Sequence, residues 1–106
     1  MKKAYADIRW TSPEEGGRKA PLQPGFMYYP HIFIDPAIDS QEWSVAFLVT
    51  PVGDDGISKI SFWLLAEGGE AEAYFAKLSV GRQFAFTEGR KVVAKGIVTG
   101  IAECWR

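Results

Sequence analysis

Apolar and polar residues alternate along much of this chain, and alternation is the period of a β-strand with one buried face. Tyr5-Ala6-Asp7-Ile8-Arg9-Trp10 is the first such run. Thr11 to Lys19 is polar and rich in glycine, which predicts a loop that Pro21, Pro24 and Gly25 prolong. Phe26 to Asp35 is aromatic and β-rich, and Pro30, with no N–H for a ladder, predicts a bulge or an edge. Pro36 to Glu42 reads as a connection. Trp43 to Thr50 predicts a strand with Trp43, Val45, Phe47 and Val49 on one face, and Pro51 to Gly56 predicts a turn. Ile57 to Leu65 alternates again, with Ile60, Phe62 and Leu64 on one side. Glu70 to Leu78 carries Ala71, Tyr74, Phe75 and Leu78 at helical spacing, so a short helix is expected there. Arg82 to Thr87 predicts a strand with Phe84 and Phe86 together. Glu88 to Lys91 turns the chain, and Val92 to Ile101 forms the last strand, where Gly96 predicts a bend or a close backbone approach.

Six strands joined by loops, with at most one short helix near residues 70–78, define an all-β chain, a small antiparallel barrel or sandwich. The 106 residues suit one domain, 1–106, without repeat or linker. Twelve Lys+Arg against thirteen Asp+Glu give a net charge of −1, which argues against a nucleic-acid binder held by bulk charge. The single cysteine, Cys104, excludes an intramolecular disulfide and a Cys-based zinc site. Met1-Lys2-Lys3 is not followed by an apolar run of signal-peptide length, and no stretch is long enough to span a membrane, so a soluble cytoplasmic protein is expected.

Two stretches then carry a family resemblance. Glu14-Glu15-Gly16-Gly17-Arg18-Lys19-Ala20-Pro21 is followed by Gly25-Phe26. Near the other end, Val80-Gly81 and Phe84 to Glu88 precede Gly89-Arg90-Lys91-Val92-Val93-Ala94-Lys95-Gly96-Ile97-Val98. Together they resemble the third, C-terminal β-barrel domain of elongation factor Tu and related translation factors, here as a free-standing domain. The resemblance implies a six-stranded antiparallel Greek-key barrel with no catalytic role, which packs on other protein domains and helps hold the T stem of aminoacyl-tRNA. Residues 36–79 match in pattern only. The family places Arg-Pro after its Gly-aromatic pair, whereas here Met27-Tyr28-Tyr29-Pro30-His31 follows Phe26. No Gly-x-x-x-x-Gly-Lys-Ser/Thr phosphate loop occurs, so neither GTPase chemistry nor a nucleotide cofactor is expected.

Residues that could carry chemistry have plainer readings. His31 could serve as a base with Asp35 or Asp39, but no nucleophile has a recognisable setting, and Cys104, in the last three residues beside Trp105, lies at a terminus expected to fray and to offer a thiol neither a fixed electropositive pocket nor a His. Glu14, Glu15, Glu67, Glu70 and Glu72 lie in polar segments expected to be solvated. Asp54-Asp55-Gly56 is half a calcium loop without the later ligands, so it reads as a turn and no metal is expected. Gly16-Gly17-Arg18 has two readings: backbone N–H groups and a guanidinium gripping an anion, or a structural turn with Arg18 paired to a carboxylate such as Glu88. Fifteen aromatic rings exceed what one small interior uses, and Phe26, Tyr28, Tyr29, Phe33, Trp43 and Trp63 are the surplus. A protein partner or a second copy is therefore the expected occupant of an exposed aromatic face, reached through Phe26, Tyr28, Tyr29 and the Gly16-Gly17-Arg18-Lys19 loop. The alternative is a tRNA-binding accessory that uses Lys19, Arg90 and Lys91 against phosphate. Neutralising a toxin or regulating a partner would be special cases of the first.

Overall fold

The computed structural model describes residues 2–18, 22–34 and 43–103. Strand β1 (Lys2–Trp10) buries every second residue, Ala4, Ala6 and Ile8, as the alternation requires. Strand β4 (Trp43–Leu48) turns Val45 and Phe47 inward, followed by Val49, and β5 (Ser58–Leu64) turns Ile60 and Phe62 inward. Strand β6 (Gln83–Glu88) buries Phe84 and Phe86, and β7 (Lys91–Glu103) buries Val93, Ala94 and Val98. Phe47, Phe62, Phe84 and Phe86 meet at the centre, with ring centroids 4.9–5.3 Å apart. That spacing is the range in which aromatic pairs attract beyond their buried area.

Two short strands, β2 (Met27–Tyr28) and β3 (His31–Phe33), are one strand interrupted at Pro30. Both pair with β4 in one continuous register, Met27 opposite Leu48 and His31 opposite Ser44. Pro30 donates nothing, yet its carbonyl accepts from the Val45 N–H at 3.0 Å. Counting them as one, six antiparallel strands close a barrel: β4 pairs with β5, β5 with β1, β1 with β7, β7 with β6, β6 with β3, and β3 with β4. Strands β3, β4 and β5 form a meander, and β6 then returns beside β3, which is the Greek-key order. The connection that makes this return holds α1 (Gly69–Phe75), whose Ala71, Tyr74 and Phe75, with Leu78 after it, are buried in the core. Tyr74 stacks on Trp43 at 5.2 Å. The expected fold class is therefore observed, including the single short helix.

Gly96 explains how β7 closes against both neighbours. A Cβ there would lie 2.6 Å from the Phe84 ring and 2.7 Å from Ile8. The close backbone approach expected at this glycine is real. The expected loop after β1 contains a 3-10 turn, Pro13–Glu15, closed by a capping box between Ser12 and Glu15. Among the described residues, no helix is long and apolar enough to cross a membrane.

Candidate functional site

Two of the residues singled out in the sequence converge on the carboxylate of a third. Arg18 follows the 3-10 turn, Tyr28 lies on β2, and Glu88 ends β6. The Arg18 guanidinium and the Tyr28 hydroxyl both donate to Glu88 Oε2. Arg18 Cζ also lies 5.8 Å from the Tyr28 ring centre. The last ladder pair of β3 with β6 is His31 with Thr87, so Glu88 lies just past the end of the pairing with β3, though it still pairs with Lys91 of β7. Its side chain continues the connection to β2 that the backbone, broken at Pro30, does not make.

Electrostatics keep this cluster ionised on one side and neutral on the other. Burial pushes the Glu88 carboxyl up, but the Tyr28 hydroxyl, the Arg18 guanidinium and the Lys91 charge outweigh it, and its pKa lies below the usual value. Burial and the adjacent Glu88 carboxylate push the Tyr28 hydroxyl well above its usual range. Arg18 is held more firmly protonated by its hydrogen bond to Glu88. The arrangement is a brace, with neither a free nucleophile nor a free base.

The glycines before Arg18 serve the same turn. Gly16 N–H donates to Pro13 O at 3.1 Å and Gly17 N–H to Ser12 O at 2.9 Å, and Gly16 has φ 92°. A Cβ on Gly17 would lie 2.1 Å from the Thr11 carbonyl oxygen. Both amides and the guanidinium are engaged within the fold, and of the two readings of Gly16, Gly17 and Arg18 the pairing of Arg18 with Glu88 is the one this structure forms. Asp55 likewise accepts from the Ile57 N–H at 3.0 Å, as a turn residue does. Among the described residues, no group of three or more His, Cys, Asp or Glu is placed to hold a metal. Lys19, Asp35, Asp39, Cys104 and Trp105 lie outside the described residues.

The other singled-out residues are at the surface. Arg90 and Lys91 are exposed at the β6–β7 turn. Phe26 is 65% and Tyr29 59% exposed. Tyr28, by contrast, is half-buried against Trp10 and Phe47, and Trp43 packs inward on Tyr74. Sequence reading missed the aliphatic neighbours. Met27 and Leu48 are opposite each other in the β2–β4 ladder and both are exposed. Val52, also exposed, lines a cavity of about 430 Å³ together with Trp10, Leu22, Pro24, Val49 and Val93. Phe26 O accepts from the Val49 N–H, which joins the cavity wall to the exposed stripe. Arg18 also borders this cavity, so the brace sets one of its walls. The surface is an apolar stripe with an apolar recess beside it. No protein-family model matches the chain, and no curated protein matches it either.

Proposed function

We propose that this chain is a non-enzymatic binding module of the kind that elongation factor Tu carries as its third domain, and that it docks a protein partner or a second copy of itself. One observation carries this reading. Met27 and Leu48 are exposed neighbours across the β2–β4 ladder, Phe26 and Tyr29 are exposed in the same segment as Met27, and exposed Val52 lines a mostly apolar recess. Isolated apolar residues on a surface are ordinary, but a contiguous group beside a pocket marks an interaction site. Energetic centres of protein interfaces are large side chains that fill such pockets. The Greek-key barrel and the Gly16-Gly17-Arg18 turn support the resemblance to the translation-factor domain. The Arg18–Glu88–Tyr28 brace supports the role by holding β2, and with it the stripe, against the rest of the barrel. The alternative partner is tRNA, favoured by the exposure of Arg90 and Lys91.

Light scattering and affinity capture with wild-type chain and Met27→Glu test the reading. Met27 faces outward, so the substitution leaves the core intact. The expected result is either a dimer mass that falls to monomer in the variant, or a stoichiometric partner that the variant no longer retains. A monomeric wild type with no partner that depends on Met27 would overturn the proposal. A monomer that shifts with bulk tRNA, and loses the shift as salt rises, would put the tRNA reading in its place.

A further inference from the structure

Charge on this molecule is unevenly spread, and the overall −1 conceals it. Alternation along β1 turns Lys3, Tyr5, Asp7 and Arg9 outward between the buried Ala4, Ala6 and Ile8. The ladders carry these positions onto the neighbouring strands. Tyr5 is opposite Ser61 on β5 and Gly100 on β7, Asp7 is opposite Lys59 and Ile97, and Arg9 is opposite Lys95. Since Ala4 is opposite Phe62, Trp63 sits beside Lys3, and the Lys3 Nζ lies over its ring at 5.3 Å from the centre. The outward residues of β1, β5 and β7 around Tyr5 thus include four cations, Lys3, Arg9, Lys59 and Lys95, against one carboxylate, Asp7. Four minus one is +3, so a chain of net −1 carries −4 elsewhere.

We infer that this face binds single-stranded nucleic acid, with a base stacked on Tyr5 and phosphates held by Lys3, Lys59 and Lys95, the Lys3 ammonium being positioned by the Trp63 ring beneath it. Tyr5 is 45% exposed and leans over Gly100, where no side chain competes for the ring. Tyr5 and Trp63 are diagonal neighbours on adjacent strands, which places them about 7–8 Å apart. An exposed ring on a sheet, flanked by cations that follow the backbone, is what sequence-tolerant single-strand binding needs. Lys59 has a side chain 83% exposed and pairs with Asp7 at 3.5 Å. The Arg9 end is partly neutralised, because Glu15 feels the charges of Lys95 and Arg9, and Arg9 itself donates to the Asp55 carbonyl at 3.2 Å. The strongest part of the surface is therefore Lys3, Tyr5, Lys59 and Trp63. A protein partner fits it less well, since the centres of protein interfaces are depleted in lysine. The stripe of Met27 and Leu48, on β2 and β4, has the opposite character, so this inference is independent of the docking proposed there.

Fluorescence anisotropy of the full chain with a labelled oligouridine dodecamer, at about 50 mM salt, tests it. Binding is expected, with log K falling against log salt at a slope of about −2, as three neutralised phosphates on a single strand would give. Tyr5→Ala should weaken binding by about 5- to 150-fold, the range for losing one stacked base. Lys59→Glu should weaken it and flatten the slope, and its exposure makes it a variant that folds whatever Tyr5→Ala does. Glu70→Gln, at an exposed position of α1, should bind as wild type does. Absence of binding overturns the inference. So does binding that neither Tyr5→Ala nor Lys59→Glu changes, equal affinity for a duplex of the same length, or equal competition by polyglutamate.

Discussion

Glu88 shows how one residue ties distant parts of this chain together. It sits at the end of β6, and its carboxylate receives donors from residues 70 and 60 positions away in sequence. Because its folded pKa lies below the unfolded value of about 4.3, the ionised form is the one the fold prefers. The stabilisation is thus fully present above that unfolded value and is lost as pH falls through the lowered folded one. The partners are about one-third exposed, so solvent screening trims the gain. Glu88→Gln is expected to cost about 1 kcal/mol near neutral pH. The difference from wild type should shrink toward zero in denaturant titrations below about pH 4. A gap that stays constant down to pH 3 would mean that the charge of Glu88 contributes nothing. The pairing of Arg18 with a carboxylate was legible in the sequence, since an arginine after two glycines has few roles. That Tyr28 shares the same oxygen was not, because it depends on where the strand interrupted by Pro30 resumes.

Elements in this barrel were legible wherever one face alone decided them. Trp43, Val45, Phe47 and Val49 alternate cleanly, and each is directed into the core or packed against it. The helix over Gly69–Phe75 was legible from the spacing of Ala71, Tyr74, Phe75 and Leu78. What alternation cannot give is register between strands. The outward rows that bring Lys3 beside Trp63, and Met27 beside Leu48, exist only once each strand is slid into place. The β1–β7 ladder even shifts between Tyr5 and Ala6, which no pattern in the sequence announces. The 3-10 turn was missed although Ser12 and Glu15 carry the capping-box spacing, because three residues are too few for a periodicity. Gly96 was legible as a glycine out of place in a strand. Its contacts give a prediction for how β7 seats against β1 and β6. Gly96→Val must displace the Phe84 ring and Ile8, which lie 2.6 and 2.7 Å from where a Cβ would stand. The expected cost is about 2–4 kcal/mol in urea unfolding. A loss below about 0.5 kcal/mol would show that β7 can move away from its neighbours freely.

The molecule as a whole is closed by its two ends. Lys2 pairs opposite Glu103, and β7, thirteen residues long, is hydrogen-bonded to both β6 and β1. Among the described residues no other strand joins β1 to β6, so the barrel stays open until β7 is in place. Closure of this kind links residues far apart in sequence, which puts folding in the millisecond-to-second range of all-β barrels. It also makes β7 the strand whose inward face the fold can least spare. Val93 is 1% exposed within the core, whereas Lys95, two positions on, is exposed on the outer surface. An aspartate at position 93 would place a carboxylate among apolar side chains, at a cost of several kcal/mol. That is comparable with the whole stability of a domain of this size, about 5–15 kcal/mol. Val93→Asp is therefore expected to show no cooperative unfolding transition and no near-ultraviolet circular dichroism, while Lys95→Gln should unfold within about 0.5 kcal/mol of wild type. The pair is informative because it separates strand from face. Were both variants to fold normally, β7 would not be closing the barrel; were both to fail, position 95 would be buried and the cationic outer face around Tyr5 would lose one of its four members.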